Sequence, residues 1–237
     1  MKTNLLPWLR KASEFIGTLM PEFIMLVLGI MASLWLDDRR ETAEAHSKER
    51  EILAQVLEDL KADTAKVNRN LVVVTGRMAE NARLAEISAD SISADFMKTY
   101  RNTRLVMNYE PFEHSKSGYI ELAAQMERVT DKRLLMNIMS LYEERYKNIE
   151  MLNKQHSEYL INTVYNYMSR EMPYLTAAGD ITAEKVQAFE KMLLSDEFKH
   201  LLFFDIRLRV NLEMGYKATF EEQKKLLAEI ERELEKG

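Results

Sequence analysis

Residues 22–36 read EFIMLVLGIMASLWL, and four charged residues follow them directly. The fourteen residues from Phe23 carry no charge, and the apolar run extends back to Phe15 with Glu22 as its one interruption. About 22 residues of α-helix rise roughly 33 Å, which matches the hydrocarbon core of a bilayer. The sequence therefore predicts a transmembrane helix over residues 21–37.

The segment before this run, residues 1–20, predicts an amphipathic helix at the membrane surface, because its apolar residues share one helical face. A single tilted span that begins near Leu9 is the alternative, and Pro21 separates the two interpretations only weakly. Aromatic and basic side chains favour the headgroup layer at both ends of a span. The residues predicted to lie in that layer are Trp8, Arg10, Lys11 and Trp35.

No small-x-small cleavage site follows the apolar run, so we expect the anchor to stay attached. Basic residues flank the run in nearly equal number, and the balance favours a cytoplasmic amino terminus. We therefore expect a single-pass membrane protein, with its carboxy-terminal body on the side opposite the cytoplasm and membrane lipid as a partner.

One face of the predicted span carries Glu22, Gly29 and Ser33. A small-xxx-small pair lets two helices approach closely, and an ionisable residue at membrane depth usually faces protein or water. These residues predict a homo-oligomer that assembles through this face. The alternative is that Glu22 lies at headgroup level and that the two small residues are ordinary residues of a span.

Beyond the span, a heptad pattern predicts a long helix, with apolar residues in alternating steps of four and three. Packing against helices of the same chain is favoured over packing against copies of itself, because further helices follow in the sequence. The residues of this predicted stalk seam are Leu53, Leu57, Leu60, Thr64, Val67, Leu71, Val74 and Met78.

The rest of the chain also predicts helices, since it contains few glycine and proline residues and its apolar residues recur at helical spacing. We expect an all-α fold in which residues 38–237 form an elongated antiparallel bundle. Ser117 is a predicted helix cap, and so is the pair Thr130-Asp131. The predicted helices cover residues 77–106, 117–129, 131–173, 182–194 and 198–234, with a loop over residues 108–118.

Two stretches resemble a domain-of-unknown-function family of small bacterial membrane proteins. The first is the apolar run with Gly29-Ile30, followed by Glu51-x-Leu53-x-x-x-Leu57-x-Asp59-Leu60-x-x-Asp63. The second is Tyr119-x-x-Leu122, followed by the helix from Leu134 to Tyr142 and Tyr146. The resemblance implies a membrane anchor and a helical body, and it implies no catalytic residue.

Residues suited to chemistry are sparse in this sequence. Cysteine is absent, so thiolate metal sites and a cysteine nucleophile are excluded. The one pair with metal-ligand spacing is Glu197-x-x-His200, and no second pair of this kind exists to complete a di-iron site. A net charge of −5 argues against a nucleic-acid partner. We expect no catalytic residue, no metal ligand and no cofactor.

Two functions are compatible with this sequence. The first is a membrane-anchored, non-enzymatic module whose helical body binds a protein partner or senses a ligand. The second is a subunit of an oligomeric ion-conducting or membrane-perturbing assembly in which Glu22 faces the seam between subunits.

Overall fold

The computed structural model describes residues 6–175 and 181–236, and it describes side chains from Phe23 onward within these ranges. Every regular element in these ranges is a helix, so the predicted all-α class is confirmed. The helices are α1 (Leu6–Ala85), α2 (Ala89–Ala94), α3 (Phe96–Arg104), α4 (Ser117–Ala124), α5 (Lys132–Ser140), α6 (Lys147–Tyr159), α7 (Asn166–Glu171), α8 (Ala183–Leu194) and α9 (Asp196–Glu235).

The chain divides into two compact units, Met1–Glu51 and Ile52–Gly237. We call these the first and the second unit. Helix α1 is continuous through Pro21 and through Gly76, so neither residue ends a helix. The predicted surface helix and the predicted span are therefore parts of one helix. The side chains of four predicted site residues lie outside the described residues, and these are Trp8, Arg10, Lys11 and Glu22.

The predicted span over residues 21–37 lies only partly among the residues whose side chains are described. Within that described part, no helix has an apolar segment long enough for a membrane crossing. The uncharged run from Phe23 to Leu36 has fourteen residues, whereas a transmembrane helix needs about 20.

Local sequence signals set several helix starts in the second unit. Asp131 caps α5, as predicted, because its carboxylate accepts hydrogen bonds from the backbone N–H groups of Arg133 and Leu134 at 2.9 and 3.0 Å. Thr182 caps α8 in the same way. The cap predicted at Ser117 is wrong, because this residue lies inside α4 and its hydroxyl donates to Asp59 instead.

The long helices of the second unit do not all alternate in direction. Helix α9 runs antiparallel to α1, since Asn70 contacts Tyr216 while Asn81 contacts Asp205. It also runs antiparallel to α6, where Asn153 contacts Tyr216 and His156 contacts Asp205. Helices α1 and α6 therefore run in the same direction. The short elements over residues 89–116 return the chain between them, which the prediction of a simple antiparallel bundle did not include.

The stalk seam packs against helices of the same chain. Leu53, Leu60 and Val67 are fully buried, whereas Leu57 is slightly and Leu71 partly exposed. Val56, between Leu53 and Leu60, is also fully buried, and two polar residues not assigned to the predicted seam, Asp63 and Asn70, are buried further along the helix. These polar residues tolerate burial because each has hydrogen-bond partners.

Two π-helical segments interrupt the helical stretch from α5 to α7, and they are Leu141–Tyr146 and Leu160–Tyr165. A π turn holds one residue more than an α turn, so the buried face moves by one residue along the sequence. Periodicity predicts Arg145 and Thr163 on that face. The structure buries Tyr146 and Val164 instead and leaves the two predicted residues exposed.

Candidate functional sites

The first unit exposes a continuous apolar surface. All fourteen residues from Phe23 to Leu36 are exposed in the structure, including Met25 at 71% and Leu34 at 64%. A Cβ atom added to Gly29 would meet no atom within 4 Å, and Ser33 is also exposed. Near its carboxy-terminal end lies Trp35, over whose ring the guanidinium of Arg39 lies at 4.4 Å.

A buried polar layer separates two hydrophobic clusters in the second unit. At its centre, the carboxylate of Asp205 accepts hydrogen bonds from Asn81 at 2.5 Å and from the Nε of Arg209 at 2.6 Å. The Nε2 of His156 lies 2.8 Å from its other oxygen. All four residues are almost completely buried. The layer therefore holds the Asp205 and Arg209 charges together away from solvent.

Position along the helices shows that this layer lies between the clusters. In α9 it falls between Leu202 of one cluster and Leu212 of the other, and in α1 it follows Val74 and precedes Leu84. Arg209 also donates to two backbone oxygens in the segment after α3, those of Val106 at 3.4 Å and Asn108 at 3.1 Å. The ionic groups of this layer are therefore all enclosed by the helices and the segment that they join.

Aromatic residues gather around the first π-helical segment. His114 packs against Tyr146 with ring centroids 4.4 Å apart, and Tyr119 stacks on Tyr142 at the same distance. Burial and the nearby Asp63 carboxylate raise the pKa values of Tyr142 and Tyr146, so both hydroxyls stay protonated. The Tyr142 hydroxyl has no hydrogen-bond partner among the described residues. The adjacent cavity of about 70 Å³ has room for only about two water molecules.

A larger cavity of about 350 Å³ lies between α3 and α7. Its walls are mostly tyrosine and methionine, with one basic residue. The Tyr100 hydroxyl donates to the backbone oxygen of Pro173 at 2.9 Å, which joins the two sides of the cavity. The lining residues are Tyr100, Arg104, Met107, Tyr165, Met168, Ser169, Met172, Pro173, Tyr174 and Leu175.

Helix α3 is basic and contributes one of its basic residues, Arg104, to this cavity. Lys98, Arg101 and Arg104 are exposed on α3, and the helix contains no acidic residue. The side chain of Arg104 forms no hydrogen bond or ion pair with any residue that the structure describes, and none of the described residues that line the cavity is acidic. Among the described residues, the cavity therefore combines a mainly apolar interior with one positive charge that has no ion-pair partner.

No pattern in the sequence predicts this cavity. Its residues come from α3, the second π-helical segment, α7 and the chain just after α7, and only the tertiary fold brings them together. The pair with metal-ligand spacing does not form a site here. His200 is exposed and Glu197 lies 3.7 Å from Arg170. No group of three potential metal ligands occurs within the described ranges.

No protein-family model, curated protein or solved structure matches this chain. The resemblance to a family of small bacterial membrane proteins therefore stays a prediction. The function proposed below rests on the geometry of this chain alone.

Proposed function

We propose that this protein is a membrane-anchored, non-enzymatic binding module. The first unit attaches to a bilayer through the exposed run from Phe23 to Leu36, and the second unit binds a ligand or a protein partner. The observation that carries the proposal is this run of fourteen exposed residues without a charge. Continuous apolar surfaces of this kind mark interaction sites with protein or membrane.

The ends of the run favour lipid as its partner. Trp35 lies near its carboxy-terminal end, where the ring contacts the Arg39 guanidinium. Tryptophan and arginine are both favoured in the headgroup layer, next to a hydrocarbon core. Residues 37–40 are all charged, and they fit the change from apolar to aqueous surroundings. Upstream residues supply the remaining length that a crossing requires.

A binding role suits the second unit better than catalysis. Its ionic groups at Asp205 and Arg209 are enclosed, and its tyrosine hydroxyls at Tyr142 and Tyr146 are held protonated by burial. The larger cavity is mainly apolar and of the size of a small-molecule site. The ion-conducting alternative depends on Glu22, whose side chain lies outside the described residues, and it stays a prediction.

Vesicle flotation of the full-length chain tests the anchor. We expect the chain to float with vesicles of phosphatidylethanolamine and phosphatidylglycerol and to remain bound after alkaline carbonate extraction. Leu28→Arg places a charge in the middle of the exposed run, which costs about 2.5–3.5 kcal/mol at the centre of a bilayer. This substitution should lower the bound fraction, with a partition change on the order of 100-fold.

The matched control is Val72→Arg, which adds the same charge at an exposed apolar position of the second unit. It should leave flotation unchanged. The proposal is rejected if the full-length chain stays with the aqueous fraction without detergent, or if the two arginine variants float equally.

A further inference from the structure

The cavity between α3 and α7 has the volume of a small-ligand site. Small-molecule sites usually measure roughly 300–1,000 Å³, and this cavity has about 350 Å³. Since a water molecule occupies about 30 Å³ of liquid, the cavity has room for about a dozen non-hydrogen atoms. A fused two-ring aromatic compound with one small substituent has this size.

The walls favour an aromatic ligand over a plain hydrocarbon chain. Three tyrosines and three methionines line the cavity. Aromatic rings stack on tyrosine, and methionine sulfur makes favourable contacts with ring edges. Tyr100 is held in place before any ligand arrives, because its hydroxyl bonds to Pro173 and its ring packs against Phe189 at 5.4 Å. A wall that is already ordered loses little entropy on binding.

The charge at the rim favours an anionic group on that ligand. Arg104 lines the cavity, and its side chain has no partner among the described residues. A guanidinium forms two parallel hydrogen bonds with a carboxylate. The aromatic walls and the arginine together match a planar ring system that carries a carboxylate.

We propose that this cavity binds an aromatic carboxylate. The inference deepens the proposed function by naming the ligand class, and it rests on the second unit being a binding module. It does not depend on the membrane anchor. Flotation and ligand binding can therefore fail separately.

Calorimetric titration of the full-length chain with 2-naphthoate tests the proposal. The chain is held in lipid nanodiscs if it floats with vesicles and in buffer if it does not, and empty nanodiscs provide the blank. We expect saturable binding of one 2-naphthoate per chain. The neutral amide of the same shape, 2-naphthamide, should bind on the order of tenfold more weakly, because it lacks the charge-assisted hydrogen bonds to Arg104.

Two pairs of variants locate the ligand. Arg104→Gln should weaken 2-naphthoate binding on the order of tenfold and leave 2-naphthamide unchanged, whereas Arg101→Gln, one turn away and outside the cavity, should change neither. Ser169→Trp should fill the cavity from an exposed position and abolish binding of both compounds. The control Lys154→Trp adds the same ring at an exposed site on α6 and should have no effect.

Three outcomes overturn the proposal. The first is the absence of saturable 2-naphthoate binding to a folded, helical chain. The second is equal loss of binding in the Arg101 and Arg104 variants. The third is tighter binding of decanoate than of 2-naphthoate, which would identify the cavity as a site for an aliphatic chain.

Discussion

Asp205 is the residue on which the buried polar layer depends. Asp205→Asn removes the charge that compensates the buried guanidinium of Arg209, and an uncompensated buried charge costs about 3–5 kcal/mol. We expect the free energy of unfolding in urea to fall by this amount. Asp196→Asn, an exposed change in the first turn of the same helix, should lower it by no more than about 1 kcal/mol. Equal effects of the two variants would contradict a structural role for the layer.

Asp63 gives the second unit a specific dependence on pH. Burial raises the pKa of this carboxyl above its ordinary value of 3.8, although the Ser115 N–H and Lys66 oppose the shift. The folded chain therefore holds this proton more tightly than the unfolded chain does. The protonated Asp63 carboxyl therefore adds to the free energy of unfolding. This contribution is complete below pH 3.8 and is lost as the pH rises through the raised pKa.

Urea unfolding at pH 4 and pH 7 measures this contribution. Between these values, the wild-type chain should lose stability relative to Asp63→Asn, which does not ionise. Glu80→Gln is a control of opposite sign, because the hydrogen bond from Arg83 lowers the pKa of Glu80. The wild type should lose stability relative to that variant as the pH falls through the lowered pKa. If the stability difference between wild type and Asp63→Asn is the same at both pH values, burial does not raise the pKa of Asp63.

Close packing between α1 and α4 explains why one glycine is required. A Cβ atom on Gly118 would lie 2.8 Å from the backbone nitrogen of Val56. This distance is too short for α1 and α4 to keep their present positions, so one of them would have to move. Gly118→Ala should lower the free energy of unfolding by about 1–3 kcal/mol. Gly76→Ala is the matched control, since its added methyl meets open space within α1 and should stabilise the helix by about 1 kcal/mol.

Thermal unfolding followed by circular dichroism compares the two alanine variants. The packing explanation requires midpoints that move in opposite directions. A rise in the midpoint for Gly118→Ala would show that α4 can move away from α1 at no cost.

The helices themselves could be predicted because their signals are local. Apolar spacing predicted α9 and the helical conformation of the segments that form α1, and Asp131 caps α5 through N–H groups only two and three residues away. The partners of Asp63 and Asn70 are Ser115 and Tyr216, which lie 52 and 146 residues further along the chain. No local pattern encodes contacts at that distance. Thr64 and Leu71 were therefore predicted in the seam instead of the two buried polar residues.

At the scale of the whole molecule, the two units differ in what covers their apolar residues. In the second unit, helices of the same chain cover two hydrophobic clusters. In the first unit, the run from Phe23 to Leu36 stays exposed. Apolar composition predicted that this run requires a partner. Composition could not predict the cavity beside Arg104, since its walls come from segments that only the folded chain brings together.

The polar layer also determines how the second unit can open. The two hydrophobic clusters share no buried residue, so loosening one of them leaves the apolar contacts of the other intact. Each half can therefore exchange its amide hydrogens with solvent through its own partial unfolding. Tyr100 and Met168 line the larger cavity and belong to the hydrophobic cluster that contains Leu202. A molecule bound in the cavity would therefore slow amide hydrogen exchange in that half of the second unit and leave exchange in the other half unchanged.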